Sequence, residues 1–378
     1  MLFLPHIRCL SHALTNTRKC YVDYIEAKVG RRLGALAKDT RTTAKPERRR
    51  YIAGISFGTS STAMTQALAK FCSPRKSSAA FELHAVHVDT NLTEPLRDGV
   101  SPAAQRNLDK YRERFSNVSF QCVHLSKVLN VGTIDWSSLP CFETISSPEV
   151  GSNCQRLQNF FNSLPSPTSR AYILRLLIRH ILLDMALETS STALLLGHST
   201  TALAALTLSE VANGRGYSVP WQINDGPYTF CVQSQKSDSK GCKEMNRETQ
   251  VHIYYPMREL FAAEISQYLG LVSSLQELVS TDTAGNSRSV VSHKDVSIDD
   301  IMNRYFSNVE GQYEGVVANV VRTTGRLSRV AGSDFCRLCG ITLDDNGDSR
   351  WAGSLGHDSE TNVYQHILCY GCKRCVRG

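Results

Sequence analysis

Short apolar runs and helical patterns alternate along most of the chain. Five runs have the length and composition of buried strands, and they cover residues 51–55, 81–88, 118–125, 193–196 and 251–255. The stretches between them repeat apolar side chains at helical spacing, at residues 59–71, 168–187, 200–211 and from about 259 onward. Continuous apolar strands separated by helices are typical of a mostly parallel sheet with helices on both faces. The pattern therefore predicts an α/β fold.

Polar stretches interrupt this pattern. Residues 130–169 are rich in Ser and Pro and contain one predicted short helix, at 155–162. Residues 233–250 have the composition of a loop insertion, and residues 281–294 that of a linker. These boundaries predict four parts: a basic N-terminal arm and helix (1–50), the α/β domain (51–280), a linker and helical segment (281–330) and a C-terminal zinc-binding segment (331–378).

The carboxyl ends of the predicted strands gather polar residues. A Gly- and hydroxyl-rich turn, residues 56–62, links the first strand to its helix, Asp89 ends the second strand, and Gly197-His198-Ser199 follows the fourth. Ligands of parallel sheets bind at this edge, and a tight turn before a helix presents unpaired amides to a phosphate. The sequence therefore predicts a cleft of nucleotide-binding type that includes His198. An ordinary βα turn rich in Ser, Thr and Gly is the alternative. His84 and His87, inside a strand, are predicted to be structural.

Positive charge is concentrated at the N-terminus. The chain of 378 residues has a net charge of +7, yet residues 1–50 hold twelve Lys and Arg against four Asp and Glu, so the remainder is close to neutral. A basic arm on a near-neutral body predicts contact with a phosphate backbone, and a solvated tail is the alternative. The predicted contacts are Arg31, Arg32, Arg48, Arg49 and Arg50. No apolar run approaches the roughly 20 residues that a membrane span needs, so no membrane partner is expected.

Two cysteine pairs near the C-terminus give the strongest metal signal. Thirteen cysteines in a chain without a convincing secretory signal favour metal sites and buried thiols over disulfides. Two Cys-x-x-Cys pairs have the ligand pattern of a structural zinc ribbon, and the predicted ligands are Cys336, Cys339, Cys369 and Cys372. The gap of 29 residues between the pairs predicts a disordered insert at 344–361. His357 or His366 could replace a ligand, Cys375 is a fifth thiol, and a set of reduced cysteines is the alternative.

The turn after the first strand resembles a known nucleotide loop. Residues 56–62 read Ser-Phe-Gly-Thr-Ser-Ser-Thr, and in the tRNA-thiolating branch of the PP-loop ATP pyrophosphatases the signature is Ser-Gly-Gly-Lys-Asp-Ser-Thr. The matching residues are Ser56, Gly58, Ser61 and Thr62. The family's second residue, lysine and aspartate are replaced by Phe57, Thr59 and Ser60. Phe57 is expected to resist positive φ and to fill the space next to a phosphate. The other two replacements remove a cation and the expected Mg²⁺ anchor.

Further segments extend the resemblance. Residues 197–202 are similar to the family's Gly-His-Asn-x-Asp-Asp motif but lack both aspartates, and Ser166 and Ser169 stand where active members carry a Cys-x-x-Cys pair. Residues 212–216 and 255–265 resemble the family's glycine-rich turn and its P-L-R/K…E-I segment. Consistent loss of acids and thiols marks the cytoplasmic tRNA 2-thiolation protein 2 family, the degenerate partner subunits of the eukaryotic wobble-uridine thiolase. The chain resembles this family over residues 18–376.

The resemblance implies a fold and a function. It implies a PP-loop sheet in a non-catalytic subunit of a cytoplasmic tRNA thiolase, with tRNA and a catalytic PP-loop homologue as partners. A thiocarboxylated ubiquitin-related modifier would supply the sulfur, zinc would be structural, and the lost charges put ATP binding in doubt. No residue would be catalytic. The nucleotide-loop remnant would consist of Ser56, Phe57, Gly58, Thr59, Ser60, Ser61, Asp89, Gly197 and His198.

The N-terminus departs from the family, and two other functions stay open. Relatives usually open with two Cys-x-x-Cys pairs, whereas here only Cys20 and the helix after it match, and Cys9 is too distant to form a pair with it. Residues 1–22 contain no acid and also fit a mitochondrial presequence. The alternative functions are an active ATP-dependent tRNA-modifying enzyme, thiolase or lysidine-synthetase-like, and a nucleotide-binding sensor of the same fold. The candidate sulfur-carrying thiols of an active enzyme are Cys141 and Cys154.

Overall fold

A six-stranded, mostly parallel sheet forms the centre of the molecule. The computed structural model describes residues 5–41, 49–72, 81–93, 99–139, 151–232, 247–272, 274–280, 296–330, 332, 334–343 and 368–377. The strands are β1 (Arg49–Ile55), β2 (Phe81–Asp89), β3 (Ser119–His124), β4 (Ala193–Leu196), β5 (Gly226–Val232) and β6 (Arg247–Tyr254). Their order is β3-β2-β1-β4-β6-β5, and all neighbours are parallel except β5, which runs antiparallel to β6 at the edge. The predicted α/β class is confirmed.

Helices cover both faces of this sheet. They are α1 (Pro5–Asp39), α2 (Thr59–Phe71), α3 (Pro102–Arg114), α4 (Asn153–Ser163), α5 (Pro167–Glu188), α6 (Thr200–Ala212), α7 (Val219–Ile223), α8 (Ala262–Leu271), α9 (Ile298–Glu310), α10 (Glu314–Thr324) and α11 (Tyr370–Arg377). One apolar core joins the sheet to α1, α2, α3 and α8. The second core joins the other face to α4, α5, α6, α9, α10 and the C-terminal cysteines. Within the described ranges no helix is long and apolar enough to cross a bilayer.

Alternation along the strands explains the two cores. In β1, Ile52 packs into the core with α5 and α6, whereas Tyr51 and Ala53 pack into the core with α1 and α2. Successive side chains of a strand point to opposite faces, so a strand covered on both sides is apolar throughout. This is why the runs predicted as strands are continuous rather than alternating.

Two strands that start from different halves of the chain meet at the centre of the sheet. β1 pairs with β2 on one side and with β4 on the other, so the strand order reverses at this point. The loops at the carboxyl ends of β1 and β4 then leave in opposite directions, which opens a crevice between them. The approach of the two loops is close, because a Cβ atom placed on Gly197 would lie 3.2 Å from Ser61 Cα. Glycine at 197 therefore lets the loop after β4 pack against the first turn of α2.

Candidate functional site

A cavity of about 800 Å³ lies at the carboxyl edge of the sheet. Its walls include the loop after β1, the ends of β2 and β4, and the apolar face of α5 at Leu174, Ile178 and Leu182. We call it the remnant cavity, because the nucleotide-loop residues predicted from the sequence line it: Ser56, Phe57, Gly58, Thr59, Ser60, Ser61, Asp89, Gly197 and His198. The sequence therefore located residues that are distant along the chain and adjacent in space.

Phe57 adopts the backbone conformation that it was expected to resist. Its φ is +56°, in the left-handed region that favours glycine. The side chain is buried, and its ring centroid lies 4.1 Å from that of His87 and 5.1 Å from that of Tyr111. Packing of the ring therefore offsets the cost of the backbone conformation. The expectation that Phe57 would resist positive φ is wrong, because the turn keeps a glycine-like backbone around a large side chain.

Hydroxyl groups hold the turn internally. Ser61 Oγ donates to the Gly58 carbonyl at 3.0 Å and accepts the Ser56 amide at 3.3 Å. Thr62 Oγ1 bonds the Gly58 carbonyl at 2.8 Å and the Tyr111 hydroxyl at 2.6 Å. These contacts hold the turn together, while no side chain of the described residues caps the first-turn amides of α2 at Gly58. The hydroxyls of Ser56 and Ser61, which match the family signature, lie 3.3 Å apart and are engaged within the loop.

The cavity contains little charge. Among the lining residues in the described ranges there is no Lys or Arg, and Asp89 is the single carboxylate. Asp89 is buried and accepts the amides of Ser101 at 2.6 Å and Asn91 at 3.2 Å. Its carboxylate therefore links the residue at the start of α3 to the end of β2. Thr59 is exposed and Ser60 is half-buried where the family has Lys and Asp.

In the segment after β4, the Thr201 hydroxyl bonds a carboxylate outside the cavity lining. Thr201 stands at the first lost aspartate of the motif, and its hydroxyl donates to Glu310 Oε2 at 2.5 Å. Glu310 also accepts the Ala263 amide at 2.7 Å. A carboxylate from α9 thereby ties the start of α6 to the start of α8. Sequence reasoning missed Glu310, since it lies more than 100 positions from the residue it contacts.

His198 is the one histidine of the cavity with an unsatisfied buried atom. Its Nδ1 is buried without a hydrogen-bond partner among the described residues. Burial lowers the pKa of His198 to about 4, and the Arg179 and Arg175 guanidinium groups contribute to the same shift. The ring is therefore neutral at physiological pH.

The other two strand histidines have structural partners. His84 contacts Ser119 Oγ at 2.8 Å and Gln121 Oε1 at 3.0 Å, across β2 and β3. His87 Nδ1 donates to the Ile55 carbonyl at 2.9 Å, and burial lowers the pKa of this ring. These contacts agree with the structural role that the sequence indicated.

No thiol stands at the start of α5. Ser166 caps this helix, and its hydroxyl accepts the Ser169 amide at 3.0 Å. Cys154 is half-buried on α4, with its sulfur 3.9 Å from His124 Nδ1. Cys141, the disordered insert predicted at 344–361, His357 and His366 lie outside the described residues.

Four cysteine sulfurs converge at the C-terminus. The ligand atoms of Cys336, Cys339, Cys369 and Cys372 all lie within 4.8 Å of one another, and we call this group the cysteine cluster. The sulfurs of Cys339 and Cys369 are 3.8 Å apart. Four sulfurs around a tetrahedral zinc at about 2.3 Å would be separated by about 3.8 Å. Three of these residues are buried and Cys369 is half-buried, so the cluster fits a closed metal site.

The first cysteine pair lies on a tight knuckle. The Cys336 amide donates to the Ile341 carbonyl at 2.8 Å, and the Gly340 amide donates to the Cys336 carbonyl at 2.8 Å. Gly340 has φ +68°, which permits the sharp reversal after Cys339. The Cys369 amide donates to the Cys336 sulfur at 3.3 Å, and this bond links the two pairs.

The knuckle is anchored to the α/β body by a buried histidine. His180 on α5 bonds the Leu338 carbonyl at 2.9 Å through Nε2 and Thr133 Oγ1 at 2.8 Å through Nδ1. Cys375 lies outside the cluster: its buried sulfur is 3.4 Å from Arg215 Nη1. Burial raises the pKa of Cys375 to about 11, so this thiol is protonated and structural. Sequence reasoning did not find the role of His180, because the residues it joins are distant along the chain.

Arg32 of the N-terminal arm is engaged in the fold. It forms ion pairs with Asp225 and with Glu259, 3.7 Å away, and its guanidinium lies 4.7 Å from the centre of the Tyr254 ring. With a side chain only 17% exposed, Arg32 connects α1 to β6 and its following segment.

The remaining arm residues are distributed differently. Arg31 is exposed on α1, and Arg49 is half-buried at the start of β1. Arg50 is exposed, with its Nε 3.6 Å from Glu82 Oε2. Arg48 lies outside the described residues. The structure therefore does not bring the five arginines together, and their contact with tRNA stays a prediction.

A family model and curated relatives match the chain. Residues 297–364 match the model of the family described as cytoplasmic tRNA 2-thiolation protein 2. The protein of that name from Phaeosphaeria nodorum is 31% identical over 369 residues, covering 94% of this chain and 88% of the relative. Its counterpart from Pyrenophora tritici-repentis is 30% identical over 371 residues, covering 94% and 89%. A solved structure of the U34-tRNA thiolase NcsA from Methanococcus maripaludis with its 4Fe-4S cluster aligns over 90% of each chain, with 16% identity and a TM-score of 0.49.

Proposed function

The chain belongs to the cytoplasmic tRNA 2-thiolation protein 2 family, and on that premise we propose that it is a non-catalytic subunit of a tRNA thiolase. It acts in the cytoplasm, binds tRNA, and pairs with a catalytic homologue whose Ser-Gly-Gly-Lys-Asp-Ser loop is intact. The complex 2-thiolates the wobble uridine, with sulfur from a thiocarboxylated ubiquitin-related modifier.

The scarcity of charged side chains among the described lining residues of the remnant cavity is the main support for this proposal. Activation of a uridine carbonyl by ATP requires cations on the pyrophosphate and a carboxylate that holds Mg²⁺. The lining residues that the structure describes include no Lys or Arg, and their single carboxylate, Asp89, accepts two backbone amides. The Phe57 ring occupies space beside the turn, and the Ser61 hydroxyl is bonded within it. These observations support a site that keeps the shape of a nucleotide loop but lacks the charged groups that the activation step requires.

The cysteine cluster supports a structural zinc ion in the same subunit. Four thiolates saturate a tetrahedral zinc and leave no position for a reactant. The spacing of 3.8 Å between the Cys339 and Cys369 sulfurs suits ligands of one metal ion. In a four-iron cluster each thiolate binds a different iron, so that cluster would hold the sulfurs farther apart. We propose that zinc binds here and fixes α11 to the body.

Reconstitution tests the proposed function. The purified chain alone is expected to give neither ATP–pyrophosphate exchange nor thiolated tRNA, measured by mass spectrometry of nucleosides. Addition of the catalytic homologue is expected to give both, and cells that lack this chain should lose wobble-uridine 2-thiolation. Within the complex, Ser61→Ala in this chain should leave the rate close to that of the unaltered complex, whereas the equivalent change in the homologue should abolish it. Thiolation by the chain alone, abolished by Ser61→Ala, would instead establish an active enzyme.

A further inference from the structure

A second large depression lies beside the remnant cavity and is lined by five arginines. Its volume is about 920 Å³, and the lining arginines are Arg32, Arg258, Arg322, Arg326 and Arg329. We call it the arginine cleft. Thr200, the first residue of α6, lines it, while Gly197 and His198, just before α6, line the remnant cavity. The two depressions are therefore separated by the start of one helix.

The cleft has more cations than carboxylates. Asp225 and Glu259 are its two acids. Asp225 pairs with Arg32 and, at 3.4 Å, with Arg258, while Glu259 pairs with Arg32 at 3.7 Å. Within the described part of the chain, no ion pair is found for the three remaining arginines, Arg322, Arg326 and Arg329. Five arginines against two acids give the described lining residues a net charge of +3.

Backbone carbonyl groups, rather than a carboxylate, hold the Arg329 guanidinium in a fixed position. Its Nε donates to the Pro220 carbonyl at 3.2 Å, its Nη2 to the Asn224 carbonyl at 2.5 Å, and its Nη1 to the Pro227 carbonyl. Burial lowers the pKa of Arg329, as expected for a cation whose neighbours are mostly neutral. Three neutral acceptors orient the guanidinium, and no carboxylate of the described residues forms a direct ion pair with it.

The segment after α10 passes close to one of the cleft arginines. A Cβ atom on Gly325 would lie 2.7 Å from Arg258 Nη2, so a larger residue there would displace this guanidinium. Arg322 and Arg326 are exposed, and Leu327 between Arg326 and Arg329 is 49% exposed. Phe261, at the start of α8, adds an aromatic edge to the lining.

We infer that the arginine cleft binds the phosphodiester backbone of RNA. The identification of that RNA as tRNA rests on the proposed function. Guanidinium groups bind phosphate oxygens strongly, and Arg322, Arg326 and Arg329 line one cleft that carries an excess of positive charge, as a polyanion requires. Leu327 and Phe261 place apolar surface in the same cleft, where unstacked bases find contacts. An RNA strand in the cleft would pass along the carboxyl edge of the sheet.

Charge reversal at two exposed positions tests the assignment in the full chain. Arg322→Glu with Arg326→Glu is expected to weaken tRNA binding about tenfold or more at low salt and to reduce the salt slope of log K by about 0.7–0.9 for each phosphate that is no longer neutralised. Fluorescence anisotropy over a salt series measures both quantities. Arg106→Glu with Lys110→Glu, two exposed cations on α3, is the matched control with the same change in net charge. Replacement of Arg322 and Arg326 by Lys keeps the charges and is expected to retain most of the slope.

The possible results separate this site from the proposed function. Affinity and slope equal to those of the α3 control would overturn the arginine cleft as an RNA site, even if the complex thiolates tRNA. Unchanged tRNA binding together with loss of the homologous subunit in a pull-down would identify the cleft as a protein interface and also overturn it. If the unaltered chain binds no tRNA, alone or with its partner, the proposed function itself fails and the assignment fails with it.

Discussion

Phe57 stands where the related signature has glycine, and the backbone there still has a glycine-like φ of +56°. A large side chain is tolerated because its ring packs on His87 and Tyr111. The same replacement fills space beside a loop that has also lost its lysine and aspartate. At the scale of one residue, the turn therefore keeps its glycine-like backbone because packing of the Phe57 ring offsets the cost of that conformation.

The backbone strain at Phe57 predicts an unusual order of stabilities. Phe57→Gly and Phe57→Ala both remove the buried ring, which costs about 3–5 kcal/mol for the alanine variant. At positive φ, alanine is less favourable than glycine by about 1 kcal/mol, so Phe57→Gly is expected to be the more stable variant. Chemical denaturation measures the difference.

A buried phenylalanine in a regular strand is the control for this comparison. Phe120 in β3 is 8% exposed and has an extended backbone, where glycine is less favourable than alanine by about 0.5–1 kcal/mol. Phe120→Gly should therefore be less stable than Phe120→Ala. The same order at both positions would show that the Phe57 conformation is not retained in solution.

The lowered pKa of His198 predicts that the folded chain loses stability in acid. Its pKa is about 4 in the folded chain, against about 6.5 when unfolded. As the pH falls from 6.5 to 4, the unfolded chain gains a proton that the folded chain does not, so unfolding becomes more favourable. His198→Gln removes this contribution. The difference in unfolding free energy between the native chain and this variant should decrease by about 1–2 kcal/mol between pH 7 and pH 5. Ile178→Ala, in the same cavity, should give a difference that does not depend on pH.

At the scale of elements, the sequence identified those with a strong local pattern. The five predicted strands correspond to β1, β2, β3, β4 and β6, and the short helix predicted at 155–162 is α4 (Asn153–Ser163). The edge strand β5 was missed because it begins with Gly-Pro and its side chains are buried on one face only. The helix α3 was also missed, since just Ala104, Leu108 and Tyr111 are buried along it.

Long-range contacts could not be predicted in this way. Residues of the remnant cavity were found because the ends of parallel strands meet at one edge of the sheet. The bonds from His180 to Leu338 and from Thr201 to Glu310 join segments that no local pattern relates. Tertiary packing brings such pairs together, so they can be identified only when the three-dimensional positions of the helices and strands are known.

The cysteine cluster predicts that a metal ion joins two elements. Purified protein is expected to contain about one zinc per chain, and Cys336→Ser with Cys369→Ser should release it. Loss of the metal should detach α11, which follows Cys369, and increase its proteolysis. Elemental analysis and limited proteolysis measure the two effects.

The control variant changes two cysteines outside the cluster. Cys20→Ser with Cys231→Ser should retain the metal. Unchanged zinc in the cluster variant would place the metal elsewhere, and iron in place of zinc would correct the identity of the ion.

On the scale of the whole molecule, positive charge occurs in two separate regions. The N-terminal helix is packed on the sheet through Ile25, Val29, Leu33 and Leu36, so its described part is not a free tail. Arg32 is the residue that contributes to both regions, since it belongs to the arm and also lines the arginine cleft. Because Arg32 pairs with Asp225 and Glu259, its replacement would disturb packing as well as charge. The two regions therefore have to be tested with variants that leave Arg32 in place.

Reversal of the other four arm arginines gives the last prediction. If Arg31, Arg48, Arg49 and Arg50 contact tRNA phosphates, changing them to Glu should weaken binding for all tRNAs alike, because phosphate contacts carry no sequence information. The salt slope of log K should fall by about 0.7–0.9 for each phosphate that the arm no longer neutralises. Binding isotherms for several tRNAs over a salt series measure both effects, and a variant with four reversed exposed cations outside the arm and the cleft controls for net charge. An unaltered slope would leave the arm with another task, such as docking of the partner, and would leave the arginine cleft as the stronger candidate for the tRNA surface.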